Sequence, residues 1–197
     1  MSARFTFFVV PLLLLIAGLA GCKVDSVNPI SSFGSAQPDA AIYGVWRYQA
    51  KDELSYIHIG PEFSLDDAAK AGNRRTRIVI VDHKANGLTD EAYVAYTSRV
   101  GKQRYLNVVQ SEGEKTVGYL FVRYTLVDRN TLRFATVDED ALKAAIRTGR
   151  IKGTTRGEGL SSETAITAES AEIEKFLSAD GAKLFAKPFV VRRVPDR

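Results

Sequence analysis

From Ala40 onward, apolar and polar residues mostly trade places every second position. "LSYIHIG" sets Leu54, Tyr56 and His58 on one side and Ser55, Ile57 and Ile59 on the other. "VGYLFVRYTLVD" sets Leu120, Val122, Tyr124 and Leu126 against Tyr119, Phe121 and Arg123. A period of two is that of a strand, whose successive side chains point to opposite faces. The same reading predicts strands at "YGVWRYQ", "TRIVIVDH", "EAYVAYTSRV", "QRYLNVVQ", "NTLRFATVD" and "PFVVRRV". Gly101-Lys102 joins two of them as a hairpin, and Asp128-Arg129-Asn130 joins two more.

In two places the period lengthens to that of a helix. "DEDALKAAIRTG" has acids in its first turn, Leu142, Ala145 and Ile146 on one stripe, Arg147 late and Gly149 as the stop. "TAESAEIEKFLSADG" repeats that grammar, with Thr167 as cap, Ile173, Phe176 and Leu177 on one face and Gly181 as the end. "GPEFSLDDAAKAGNRRTR" and "KGTTRGEGLSSETA" read as long polar loops. The expected fold is mainly β, with two helices in the C-terminal half. Its strands form an antiparallel up-and-down barrel or a strongly curved sheet. A barrel removes exposed edges, and near eight strands it can hold one small ligand.

Before Ala40 the pattern differs. Phe5 to Ala20 is apolar apart from Thr6 and Gly18, with Pro11 inside and Arg4 as the only charge before Lys23. A basic head, a short apolar run and a small-residue end predict a secretory signal peptide over 1–21. A spanning helix would want ~20 apolar residues. The following stretch to Asp39 is rich in Ser, Pro and Asn, so 22–39 reads as a flexible tether and 40–197 as the domain. The formal net charge of +4 on 27 basic and 23 acidic residues is too mild to indicate a nucleic-acid partner.

The chain has one cysteine, Cys22. Leu19-Ala20-Gly21-Cys22 resembles the bacterial lipobox. The resemblance implies a diacylglycerol on the Cys22 sulfur, cleavage before it and a second acylation on its new amino group. With Lys23 rather than Asp after the cysteine, it implies an outer-membrane anchor facing the periplasm. An acylated Cys22 leaves no thiol for disulfides, thiolate catalysis or metal binding. At the start of the domain, Gly44-Val45-Trp46 resembles the Gly-X-Trp of the lipocalin first strand. That resemblance implies that Trp46 closes one barrel end and that an arginine of the last strand covers its ring. Arg193 is favoured over Arg192, since Phe189 and Val191 share its face. The middle lipocalin motif, Thr-Asp-Tyr, does not occur at the expected place. The chain also resembles small bacterial lipoproteins with barrel domains of no assigned activity.

Little in the sequence points to catalysis. His58 and His83 could meet Asp82 or Glu91 at a metal, but no paired spacing such as His-x-x-x-His supports one. No Gly-x-Ser-x-Gly elbow is present, and "GTTRGEG" lacks the Lys-Ser/Thr ending of a phosphate loop. Asp66-Asp67 reads as a solvated pair, and Asp138-Glu139-Asp140 as the acidic start of a helix. The chain is therefore expected not to be an enzyme and to need no cofactor or metal. Arg74, Arg75 and Arg77 read either as a solvated loop or as a contact for lipid phosphate or sugar acids.

Aromatics crowd the middle strands. Tyr93, Tyr96, Phe121, Tyr124 and Phe134 are the candidate ligand-lining residues, since tyrosine offers an apolar body and a polar tip. The alternative is that these rings fill the core. Two functions follow: a lipid-anchored envelope protein that binds an apolar or amphipathic molecule in its barrel, or an interaction lipoprotein with a filled barrel that presents loops to an envelope partner.

Overall fold

A computed structural model describes residues 25–51, 53–62, 74–84, 86–156 and 163–195. The strands are β1 (Gly44–Ala50), β2 (Glu53–Pro61), β3 (Thr76–Lys84), β4 (Gly87–Val100), β5 (Gln103–Glu112), β6 (Lys115–Asp128), β7 (Thr131–Thr136) and β10 (Phe189–Arg193). They close into one antiparallel barrel in the order β1-β10-β7-β6-β5-β4-β3-β2. Each of the first seven pairs with its neighbour in sequence, and the last strand seals β7 to β1.

Between β7 and β10 the chain forms α1 (Glu139–Arg147), β8 (Gly153–Arg156), β9 (Glu163–Ile166) and α2 (Ser170–Leu184). Strands β8 and β9 were expected to be part of a polar loop. Instead they form a two-stranded antiparallel ribbon in register from Gly153↔Ile166 to Arg156↔Glu163. The ribbon's alternation is short, and Ile166 is its only large apolar residue, so its sequence resembles a loop. Ile166 is nonetheless fully buried.

The helix ends follow capping chemistry. Asp138 caps α1, its carboxylate accepting the Ala141 N–H at 2.9 Å. Gly149, at φ +67°, ends it, as the sequence predicts. In α2 two expectations are corrected. The N-cap is Glu169, not Thr167: Glu169 and Glu172 exchange side-chain and backbone bonds in a capping box. Nor does Gly181 end the helix, which runs to Leu184. Gly181 instead faces Tyr105 and Leu177, where an added Cβ would sit 3.4 Å from the Tyr105 hydroxyl. The residue is small because the helix lies close to the barrel.

Two apolar cores result. One fills the barrel around Trp46, Ile57, Ile59, Ile78, Ala95, Leu106, Val108, Tyr124, Leu132, Phe134 and Val191. The other lies outside, where Leu142 and Ala145 of α1 and Ile173, Phe176 and Leu177 of α2 cover Val100, Tyr105, Phe121 and Ala135.

The tether expected over 22–39 is corrected from Asp25 on. Residues 25–42 form a strap laid against the barrel. Ser26 bridges both Tyr119 and Ile166, Ile30 is fully buried, and its N–H donates to Asn107 Oδ1 at 2.8 Å. The Asp25 carboxylate accepts the Phe121 N–H at 2.8 Å. The strap then crosses one barrel end. Asp39 takes bonds from Tyr124 Oη at 2.9 Å and Arg104 Nη1 at 2.8 Å, and Thr97 donates to the Gln37 carbonyl. Its polar composition is consistent with packing because its backbone and short side chains bond across a surface, where few apolar residues are needed. The segment expected to be a signal peptide, Cys22 and Lys23 lie outside the described residues.

Candidate functional site

The strand carrying Trp46 fixes which faces point to the barrel axis. Trp46 pairs with Ile57, Ile57 with Ile80 and Ile80 with Glu91, so these four share the inner face. The same registers put Tyr48, Ser55, Asp82 and Thr89 inside. On β5 and β6, Leu106, Val108, Leu120, Val122 and Tyr124 face in, leaving Tyr105, Asn107, Tyr119, Phe121 and Arg123 outside.

The closed end is built around Trp46, which has no exposed surface. Its indole N–H donates to the Ile42 carbonyl at 2.8 Å. Arg193 pairs directly with Trp46 across the β1–β10 seam, its guanidinium carbon 4.2 Å from the ring centroid. The guanidinium also donates to the carbonyls of Ala41, Tyr43 and Arg129 at 2.8, 2.6 and 2.7 Å. Gly44, at φ +132°, lets it pass: an added Cβ would lie 2.5 Å from Arg193 Nη1. Arg192, the alternative, points outward and bonds the Thr131 hydroxyl. Gly44, Trp46 and Arg193 thus converge on one assembly.

Toward the other end the inner side chains change character. Tyr48, Ile80, Tyr93, Leu120, Val122 and Phe189 face the axis and pack on the inner core, yet are only partly buried. These six line the end of the barrel away from Trp46, called the cup below, and the buried core around Trp46 is its floor. Its wall adds polar groups. Ser55 donates to the buried Asp82 carboxylate at 2.6 Å, and the Tyr93 hydroxyl donates to Glu91. Burial, then the bond to Glu91, holds the Tyr93 phenol well above its ordinary range. Tyr48 is raised by burial and by nearby Glu53. Among the described residues, Glu53, Asp82 and Glu91 face inward at this end, with Lys84 at the strand tip.

Of the five aromatics named from the sequence as ligand-lining, three face the lumen. Tyr93 lines the cup. Phe134 and Tyr124 are part of its floor, Phe134 5.6 Å from Phe189 and Tyr124 bonded to Asp39. Burial and the Asp39 carboxylate push the Tyr124 phenol far up. Tyr96 and Phe121 are corrected: both face outward. Tyr96 meets Phe33 and Tyr119 edge-on, and Phe121 lies under the helices in the outer core. The residues missed are Tyr48, Ser55, Ile80, Asp82, Glu91 and Phe189, whose inward facing depends on register.

His58 and His83 face outward and Asp82 and Glu91 inward, so that set does not converge. No metal-binding group of three or more such residues occurs among the described residues. Asp66, Asp67 and residues 157–162 of the glycine-rich stretch lie outside them. Arg75 and Arg77 approach Glu62 at 3.7 and 4.0 Å, and Arg75 lies over the Phe33 ring. No helix of the described residues is long and apolar enough to cross a membrane. Comparisons with protein-family models, curated proteins and solved structures found no match.

Proposed function

We propose that this chain is a lipid-anchored envelope protein that binds an amphipathic small molecule in the cup of its barrel. The observation that carries the reading is the partly buried inner wall of Tyr48, Ile80, Tyr93, Leu120, Val122 and Phe189 above a filled floor. An apolar body would cover these residues. Its head would meet Tyr93, Ser55 and the carboxylates at the mouth. Those acids favour a neutral or cationic head over a fatty-acid anion. The anchor is assigned to Cys22 by the lipobox-like ending of the signal segment, with the domain at the periplasmic face of the outer membrane. Binding, not catalysis, is the assigned activity, and no cofactor is assigned to it. The filled floor favours the alternative, an interaction protein, only if the cup binds nothing.

Two measurements test this. Metabolic labelling with an alkyne fatty acid is expected to mark the wild type and not Cys22→Ala; equal labelling removes the anchor. In the second, a fluorescent long-chain amine and the matching fatty acid are titrated into the purified chain. The amine is expected to saturate and to bind at least tenfold more tightly than the acid. Val122→Trp, which fills the cup, should weaken it at least tenfold with the circular dichroism unchanged. Absence of saturable binding by either probe, or unchanged binding in Val122→Trp, rejects the cup.

A further inference from the structure

We infer that the outward face running from β6 across β7 and β10 to β1 is a contact surface for an anionic phospholipid bilayer. The inference rests on the Cys22 anchor proposed above for the position of the bilayer, and on the structure for the surface itself. Arg47 and Arg192 stand directly opposite each other on neighbouring strands. Arg133 stands opposite Val190 on one side and Thr125 on the other, and Arg123 precedes Thr125 by two residues on the same face.

Like charges placed opposite each other across two strands destabilise a sheet. Among the described residues, none of these four arginines lies within ion-pair distance of an acid. The Asn130 N–H and, to a smaller degree, Arg192 hold the Asp128 carboxyl below its usual range. The face is not purely polar: Val190 and Val127 are 42% and 47% exposed beside the arginines. Between Arg123 and Arg133 lies a groove of about 260 Å³, walled by Thr125, Ala135 and Pro188. A guanidinium fork matches phosphate oxygens, and exposed valines suit the apolar side of a headgroup layer.

The position of the anchor selects the bilayer over an acidic protein. The strap fixes Asp25 to the Phe121 N–H, and Phe121 and Arg123 are successive residues of the same outward row. Cys22 is three residues before Asp25, a reach of at most ~11 Å. A lipid on Cys22 would therefore enter the membrane within that reach of Asp25, at the β6 edge of this face. A lipid chain joined to a basic patch holds more firmly than the chain alone, provided the leaflet is anionic.

The test uses the full lipidated chain in vesicles that contain a nitroxide-headgroup lipid. A fluorophore is placed at Gln49→Cys, exposed on the β1 side, or at Ala92→Cys, exposed on the opposite β4 side. In vesicles of phosphatidylcholine with 30% phosphatidylglycerol, quenching at 49 is expected to exceed that at 92 at least threefold. The difference should vanish in 0.5 M NaCl and in the triple variant R47Q/R133Q/R192Q, whose melting curve reports that it is folded. Equal quenching at the two positions, or a difference that the triple variant leaves intact, overturns the inference and gives the face to an acidic protein. Recovery with anionic but not neutral vesicles removes the anchor and leaves the face standing. Recovery with neither removes both.

Discussion

Trp46→Ala is expected to lower the stability of the barrel by about 3–5 kcal/mol, the range for deleting a buried large ring. The assembly around the indole explains why the loss falls at the upper end. The ring is fully buried between Ile42, Ile57 and Arg193. Its removal also orphans the Ile42 carbonyl, and an unsatisfied buried group costs ~1–3 kcal/mol. Arg193→Met is the milder companion. It retains the stem, loses a stacking contact of ~0.5–2 kcal/mol and leaves three carbonyls without their donor. Urea titration followed by circular dichroism checks both, with the midpoint falling and the slope unchanged if the native state is otherwise intact. A Trp46→Ala midpoint equal to the wild type would mean that the closed end does not hold the barrel together.

The second large effect concerns the strap. A fragment that begins at Ala40 is expected to lose its cooperative unfolding transition, while one beginning at Asp25 keeps it. The boundary at Ala40, natural from composition, removes Ile30, whose burial alone is worth ~2–5 kcal/mol against alanine. It strips Asp25 from the Phe121 N–H, the Ile30 amide from Asn107, and Asp39 from Tyr124 and Arg104. The two buried groups orphaned, the Phe121 N–H and Asn107 Oδ1, cost ~1–3 kcal/mol each, so with Ile30 the sum approaches the ~5–15 kcal/mol that holds a whole domain folded. Thermal melts of the two fragments separate the cases. Coincident melts would return residues 25–39 to the status of a tether.

The barrel was legible because its strands alternate and their turns are short. The choice of inner face was not. Strand β6 is apolar on both sides, since one side meets the lumen and the other meets α1 and α2, so Phe121 and Tyr124 look alike in sequence. Trp46 could have set the parity, and tight turns could have carried it from strand to strand. The long loop between β2 and β3 breaks that chain of inference, and register shifts at Gln110/Ser111 and Leu126/Asp128 interrupt it again. The cup's acids were hidden for the same reason: Asp82 reads as a strand-end residue until the register places it beside Ser55. The strap was missed because composition reports the scarcity of apolar residues and not the hydrogen bonds that short polar ones can make. The Trp46–Arg193 pair, by contrast, was implied by the lipocalin resemblance, and parity within the last strand alone chose Arg193 over Arg192.

That pair joins the first strand to the last, and this bears on how the chain reaches its folded state. Neighbouring strands from β1 to β7 can zip locally as they emerge, but the seam forms only when β10 has arrived. Loop closure over nearly the whole domain is entropically slow, and barrels with such non-local pairings fold in ~milliseconds to seconds rather than microseconds. Until then the edges of β1 and β7 stay unpaired, and the indole of Trp46 has no guanidinium above it. The contact between the first strand and the last is thus a late event, and the chain stays an open, adhesive sheet until β10 docks.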